Sequence, residues 1–437
     1  MKKTRYFFCA LALVAFLSPL AMANGLNLNG LGSRAISMGG AFVGLADDFS
    51  AIFWNPAGIA QFKNKYFGFY ATDVIPTSTY KMDAIVPNVG RVNMVDAQSV
   101  TKHYLSGLGA YYHPITENLV AGFGIYVPSG LGSNWDGADF QNISMNKSYE
   151  WMSKVGTITF SPTLAYKVND MVMIGAALNI NYGMFDIAMH AGKAQVSPTT
   201  VLDLGQYEES LTGWGLGATF GVLFKPSDML SVGATLRTPS TLKFDGKATI
   251  SNLGLLGLNS SSDLSREVTS PMWLAGGIAF KPVERLTLTA DAQYTNWAKI
   301  EEVEGNYKDP FWKLLMNQSG KDTMEMFWKN AVQIRFGGEY RINEGLALRA
   351  GYYHDPAPAP DRTMNVLIPS YTFNVLTLGL GYQMGGLLID AGFEYLKGAE
   401  RETDFLKTQT DPDWASAMPG LYNMKIIVPN ISISYRF

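Results

Sequence analysis

Residues 330–342 read NAVQIRFGGEYRI, and their spacing decides the fold. Val332, Ile334, Phe336, Gly338, Tyr340 and Ile342 alternate with Ala331, Gln333, Arg335, Gly337, Glu339 and Arg341, so an extended chain carries one apolar and one polar face. Every charge falls on the second face, the pattern of a strand with lipid on one side and a polar lumen on the other. A soluble sandwich also alternates, but its strands run about five or six residues and these are longer.

The same period recurs along the chain. Val172, Ile174, Ala176, Leu178, Ile180 and Tyr182 enclose Asn179 and Asn181; Leu286, Leu288, Ala290, Ala292 and Tyr294 alternate with Thr287, Thr289, Asp291 and Gln293; Ile389, Ala391, Phe393 and Tyr395 flank Asp390 and Glu394. Extended this way, the pattern predicts about fourteen strands, from 65–75 and 103–113 through 119–127, 230–248 and 271–281 to 424–437. Connections alternate as well: tight turns such as 114–118, 169–170 and 385–386, against long loops such as 76–102, 128–154, 249–270, 298–328 and 355–371. The expected fold is all-β, a transmembrane antiparallel up-and-down barrel closed so that no sheet edge meets hydrocarbon.

Composition agrees. The 437 residues are 16% charged and 13% aromatic with 44 glycines and a net charge of -3, where a soluble domain is about a quarter charged. Near-neutral charge argues against nucleic acid as a partner. Lys2, Lys3 and Arg5, the apolar run 7–17 and Ala21-Met22-Ala23 predict a secretory signal peptide over 1–23, cleaved near Ala23. Cys9 falls inside it, so the mature chain has no thiol for a disulfide or a thiolate metal site. The division expected is signal peptide 1–23, an N-terminal hatch inside the barrel over 24–61, and the barrel over 62–437. Residues 24–61 are rich in glycine and alanine and end in Trp54-Asn55-Pro56-Ala57-Gly58, a run unsuited to a helix or strand interior but able to pack closely in a confined lumen.

Two loops are unusually apolar for surfaces that face water: Leu253, Leu255, Leu256 and Leu258 in one, Phe311, Trp312, Leu314 and Leu315 in another. Leu253, Leu255, Leu256, Phe311, Trp312 and Leu315 are therefore expected to capture an apolar ligand; contact with lipopolysaccharide or packing between loops is the alternative. The chain ends Ile431-Ser432-Ile433-Ser434-Tyr435-Arg436-Phe437, an alternating strand with a terminal aromatic. Catalysis has little support: the four histidines sit in no nucleophile motif, and there is neither a His-Glu-x-x-His metal motif nor a nucleotide-cradling loop. No cofactor and no metal are expected.

The segment GSRAISMGGAFVGLADDFSAIFWNPAGIA (32–60), the run LRAGYYHDPAPAPDRTMNVLIPS (348–370) and the terminal ISISYRF resemble the FadL-type transporters of Gram-negative outer membranes, which handle long-chain fatty acids or aromatic hydrocarbons. The resemblance covers essentially the whole mature chain. It implies fourteen strands, a hatch within the lumen, passive uptake of hydrophobic molecules, a terminal strand read by the outer-membrane assembly machinery, and a monomer among outer-membrane lipid and lipopolysaccharide. Asn55-Pro56-Ala57 matches the family's hatch motif, expected beside an inward kink of the third strand at Pro128 and Gly130. Asp47 and Asp48 match its acidic pair, with Arg34 as partner. Asn24 and Leu26, with Leu28 and Leu31, match the segment that reaches the ligand pocket. The family's carboxylate-holding cations have no clear match: Lys329, Arg335 and Arg349 are lumen-side candidates, but a solvated or paired interior charge is the favoured reading of each, and it makes neutral hydrocarbons the better substrates. The function implied is capture at the loops, transfer to a lumen pocket, hatch movement and lateral exit at the third strand. Carriage of neutral aromatic or aliphatic hydrocarbons, a structural or adhesive barrel, and an outer-membrane hydrolase are the alternatives.

Overall fold

The computed structural model describes residues 29–86 and 88–437; the expected signal peptide with Ala23, and Asn24, Leu26 and Leu28, lie outside the described residues. Fourteen strands form one antiparallel sheet closed on itself. In chain order they are β1 (Tyr66–Val86), β2 (Tyr104–Pro114), β3 (Leu119–Trp135), β4 (Trp151–Lys167), β5 (Val172–His190), β6 (Gln206–Ser227), β7 (Leu230–Arg237, continued by Ser240–Ile250) and β8 (Ser261–Ser270, continued by Trp273–Val283). There follow β9 (Leu286–Thr295), β10 (Ala331–Arg341), β11 (Leu346–Asp355), β12 (Phe373–Met384), β13 (Leu387–Gly398) and β14 (Gly420–Arg436). The seam is made by β14 and β1, in register from Tyr66 opposite Arg436 to Lys81 opposite Leu421.

The alternation read from 330–342 is the inside and outside of this ring. Val332, Ile334, Phe336 and Tyr340 are exposed on the outer surface, whereas Gln333, Arg335 and Glu339 are buried within. Leu216, Leu376, Leu378 and Leu380 continue the outer apolar surface, and Ile431, Ile433, Tyr435 and Phe437 close it at the C-terminus. An outward belt of this extent is stable only against hydrocarbon.

The strands depart from the predicted ones where the chain leaves the amphipathic zone. β1 runs on to Val86 and returns through the strand Gly90–Gln98 as a hairpin above the wall. Residues 261–270, expected in a loop, form the upper half of β8. β7 and β8 are each interrupted where a proline removes a ladder donor, at Thr238-Pro239 and Pro271-Met272.

The ring is filled. Near the short-turn end an apolar cluster joins Leu31, Ile36, Met38, Phe42, Phe53 and Trp54 to the wall residues Tyr66, Tyr112 and Leu223. Towards the long loops a second cluster is built from Tyr80, Trp135, Phe140, Trp151, Phe185 and Phe244. The connection between β11 and β12, expected to lie wholly outside, turns inward: Met364 and Val366 are fully buried. It reaches across to β3 and β4, where Trp135 Nε1 donates to the Val366 carbonyl (3.0 Å) and Ser133 Oγ to that of Leu367 (3.2 Å).

Candidate functional site

The segment before β1 lies inside the ring and is almost entirely buried. It comprises the short helices α1 (Ser33–Ser37) and α2 (Ala51–Trp54) and a 3₁₀ turn over Pro56–Gln61. Asn55 caps that turn, its side chain accepting from Ala57 N (3.1 Å), and Pro56 occupies the first position, where no N–H is needed. Gly39 and Gly40 between them take φ of 66° and 65°, left-handed values that side-chain-bearing residues avoid. A Cβ on Gly39 would also meet the Phe336 carbonyl of the wall.

Wall side chains hold this segment by its backbone. Asp291 Oδ2 accepts from Phe42 N (2.8 Å) and Val43 N (2.9 Å). Gln293 donates to the Gly40 carbonyl (3.2 Å), and Thr377 Oγ1 donates to the Ser37 carbonyl (3.0 Å) and accepts from Gly39 N (3.1 Å). Of its two readings, ligand cation or partnered interior charge, Arg335 takes the second: it is committed to the carbonyls of Gly39 (3.0 Å) and Asn29 (2.9 Å) and to Gln333, and lies over the ring of Tyr353.

An ionic cluster secures the short-turn end. Arg34 forks onto Glu339, Nε at 2.7 Å and Nη2 at 3.1 Å, and pairs with Asp47. Arg349 bridges the same Glu339 (2.7 Å) and Asp390 (2.7 Å). Fully enclosed charges persist when each has a partner, and here a single glutamate joins the inner segment to two wall strands. Arg349 is thereby accounted for within the wall. Asp48 is buried near enough to Arg34 to interact with its charge, while its own hydrogen bonds come from Ser50 N (2.8 Å) and Ser50 Oγ (2.6 Å).

The Asn55 side chain bonds to β6, while the turn that follows it, Pro56–Gln61, lies against β3, the strand the resemblance points to, as well as β4, β5 and β6. The Asn55 amide donates to the carbonyls of Val43 (3.0 Å) and of Val222 on β6 (3.0 Å), and Pro56 packs over Gly175 of β5. There the β5–β6 ladder is unbroken from Val172 to His190. α2 also reaches β3, through Ile52 over Gly124 and Phe53 edge-on to Tyr126.

β3 itself is irregular where Pro128 and Gly130 lie. Against β4 the register passes from Tyr126 opposite Thr159 to Ser129 opposite Thr157, leaving Val127 and Pro128 opposite one residue as a bulge. Against β2 the ladder ends at Tyr126 opposite Leu108. Beyond it β2 continues on β1 up to Tyr104 opposite Val74, while the rest of β3 pairs with β4, so the neighbours part company. The parting is spanned by Ser106 Oγ to the Val127 carbonyl at 3.4 Å, by the Tyr104 ring lying on Gly132, and, at its far end, by a single antiparallel bridge of Ser99 opposite Trp135 with Val100 N donating to the Asn134 carbonyl at 2.8 Å.

The remaining predicted residues scatter. Leu31 is buried in the lower cluster and its carbonyl accepts from Trp54 Nε1 (2.8 Å). Lys329 is exposed beside a surface groove between loops. Leu253 and Trp312, expected on the capturing surface, belong to the upper core at 1% and 0% exposure. Leu255, Leu256, Phe311 and Leu314 are exposed, and Leu315 is partly buried. The two loops are tied together by Trp312 Nε1 donating to the Asn259 carbonyl (2.8 Å) and by α3 (Pro310–Ser319), capped by Asp309.

One residue the sequence reading missed is Arg237, on the lumen side of β7 where that strand breaks. Nη2 donates to the Phe53 carbonyl (3.0 Å), and the guanidinium lies 4.8 Å from the Phe53 ring centre and 5.0 Å from that of Trp273. Its ladder partners are Thr219 and Trp273, neither of them acidic, and that is the signal a strand-pairing argument would have needed.

Residues 14–437 match the profile of the family described as "Outer membrane protein transport protein (OMPP1/FadL/TodX)". The chain is 23% identical to outer membrane protein P1 of Haemophilus influenzae over 414 residues, 86% of each chain. It is 24% identical to an outer membrane protein of Neisseria meningitidis serogroup B over 457 residues, 97% of each. Its fold is similar to that of a Pseudomonas aeruginosa FadL homologue, with a TM-score of 0.79 at 19% identity over 94% of this chain and 100% of the other. It is also similar to the Pseudomonas putida toluene transporter TodX, with a TM-score of 0.70 at 17% identity over 94% and 99%.

Proposed function

Because the chain belongs to the OMPP1/FadL/TodX family of outer-membrane proteins that transport hydrophobic compounds, we propose that it admits an apolar molecule from outside and releases it sideways through the wall between β2 and β3. Capture begins on Leu255, Leu256, Phe311 and Leu314. The molecule then passes the upper core to the boundary with the inner segment, which acts as a hatch over residues 24–61. A shift of α2, whose Ile52 and Phe53 lean on β3, frees the parting above Tyr126. Cargo leaves there into the outer leaflet. Release to the aqueous side would re-expose the chain at a cost of about 0.8 kcal/mol per methylene, so a sideways route is favoured for anything long and greasy. No nucleotide drives the process; a concentration gradient does. The outer belt sits in lipid and lipopolysaccharide, the strand ending at Phe437 is the assembly machinery's recognition element, and the chain works as a monomer.

The observation that carries this reading is the divergence of β2 and β3 at a proline bulge, in a ring otherwise held by long ladders. Deleting Pro128 removes the extra residue and allows β3 to pair regularly with β4. Complementation of a deletion strain with this variant, compared with the intact protein, is expected to abolish uptake of a hydrophobic tracer while the barrel still folds and reaches the membrane. Undiminished uptake through a folded barrel lacking the bulge would refute the sideways route.

A further inference from the structure

Residues 356–371 leave the wall at β11, return to it at β12, and in between touch β3 and β4, nearly opposite in the closed ring. They form a strap across the lumen that has no strand of its own. Its tip is an Asn-capped turn, in which Asn365 Oδ1 accepts from Leu367 N (3.0 Å) and Ile368 N (2.8 Å). Besides Trp135 and Ser133, Ser153 Oγ of β4 donates to the tip, at the Leu367 carbonyl. The ends are held by Arg401, in the connection between β13 and β14, which donates to the carbonyls of Ser370 (2.7 Å) and Ala359 (3.0 Å) and pairs with Asp361.

These contacts differ in what breaking them costs. The tip carbonyls can exchange their donors for water with little loss, because the net worth of a hydrogen bond is small. The side chains cannot: Met364 and Val366 are fully buried, and Leu367 and Ile368 nearly so, in the apolar cluster under the long loops. Water taking their place would wet that surface, whereas an apolar molecule taking their place keeps it dry. The first limb of the strap is stiff, since Pro356, Pro358 and Pro360 fix φ at every second residue and Pro360 is extended at φ -71°, ψ 161°. Such a limb moves as one piece about its ends.

We propose that the strap 356–371 is an outer gate, latched on Ser133, Trp135 and Ser153, that yields to apolar molecules and stays shut to water and charged solutes. Beneath it, a small polar cavity lined by Ser240 and Arg237 adjoins Leu242 of the upper apolar cluster and Tyr126 of the lower one. The latch residues of β3 belong to the stretch that has parted from β2, so opening the gate loosens the exit wall in the same movement. That coupling alone rests on the proposed sideways route.

The test places a reporter thiol in the cavity by Ser240→Cys; the chain's other cysteine, Cys9, belongs to the expected signal peptide. Purified, folded protein is treated with benzyl methanethiosulfonate or with the charged sulfonatoethyl reagent, each rate being divided by that for free cysteine. Arg237 lines the same cavity and attracts the anion, so slow reaction of the charged reagent reports the gate and not repulsion. With the latch intact, the benzyl reagent is expected to react about tenfold faster or more. Adding Ser133→Ala, Trp135→Phe and Ser153→Ala removes three hydrogen bonds and should raise the charged reagent's rate by about tenfold or more, with little change for the benzyl reagent. Arg401→Met, which frees the other end of the strap, should act in the same direction and serves if the triple substitution does not fold. Equal rates for the two reagents with the latch intact, reaction of neither, or a charged-reagent rate unmoved in the folded variants overturns the gate. Each of these leaves the uptake reading standing, which the Pro128 deletion tests separately.

Discussion

Replacing Arg34 by methionine removes the cation by which the inner segment grips Glu339 of the wall and pairs its own Asp47, and its cost follows from what each partner keeps. Loss of one member of a buried ion pair costs about 3–5 kcal/mol when the other is left uncompensated. Glu339 is not left so, since Arg349 remains at 2.7 Å, and Asp47, about a quarter exposed, can recruit water. The cation also leaves the ring of Phe42, 5.5 Å away, which methionine can still cover. The expected loss is therefore about 2–4 kcal/mol, borne by the inner segment rather than by the ring. It appears as a roughly thirtyfold to thousandfold faster amide exchange across 33–61, read by mass spectrometry in detergent, with the strands as internal reference. Glu339→Gln should interact non-additively with Arg34→Met by about 1–3 kcal/mol, because the two substitutions remove the same contact. Unchanged exchange across 33–61 in a folded variant would refute the view that this cluster fastens the segment. Equal acceleration in every strand would refute the view that segment and ring are separable.

Valine at Gly337 would thrust its Cβ against Met38 and Thr289 Oγ1, and overpacking of about 1–3 kcal/mol should displace the inner segment, seen as proteolytic cleavage within 30–61 while the barrel stays folded. Arginine at Leu378, 60% exposed near the middle of β12, should lower the stability of insertion into lipid vesicles by about 2–4 kcal/mol, with little effect if that surface met water. On the long-loop side, burial works against the Asp203 charge, but Tyr149, Gly205 N, His190 and Lys147 outweigh it and hold the carboxyl well below the usual range. The contact therefore contributes fully above the ordinary carboxylate pKa of about 3.9 and is lost only as pH falls through the lower folded value. Protection factors across 190–206, corrected for the intrinsic pH dependence of amide exchange, should be flat from pH 7 to about 5 and lower in Asp203→Asn throughout; a change in the intact protein near pH 6 would contradict this assignment.

The ring was legible in the chain because lipid and lumen impose a period of two, and Val332 against Gln333 or Ile433 against Ser434 records it directly. Where strands rise beyond the apolar zone the constraint lapses, so residues 261–270, polar on both faces, resemble a loop although they pair along their whole length. The inward turn of 356–371 is a matter of distant partners on β3 and β4, which nothing local encodes. Among candidate cations, parity placed Arg335 and Arg349 correctly on the lumen side, but whether a lumen charge is already neutralised depends on the strands beside it. That is why Arg237, with threonine and tryptophan as neighbours, passed unnoticed.

Several wall positions are bare where the inner segment touches them: Gly175 under Pro56, Gly233 under Val43, Gly337 under Met38 and Gly351 under Gly39. Such a cylinder is moulded to one occupant, and emptied of it would leave Asp291, Gln293, Thr377 and Arg335 without partners and the bare positions as hollows. The hoop shuts where the final strand zips to the first, and that first strand follows directly on the seated segment, so closure and occupancy meet at one short stretch of chain before Tyr66.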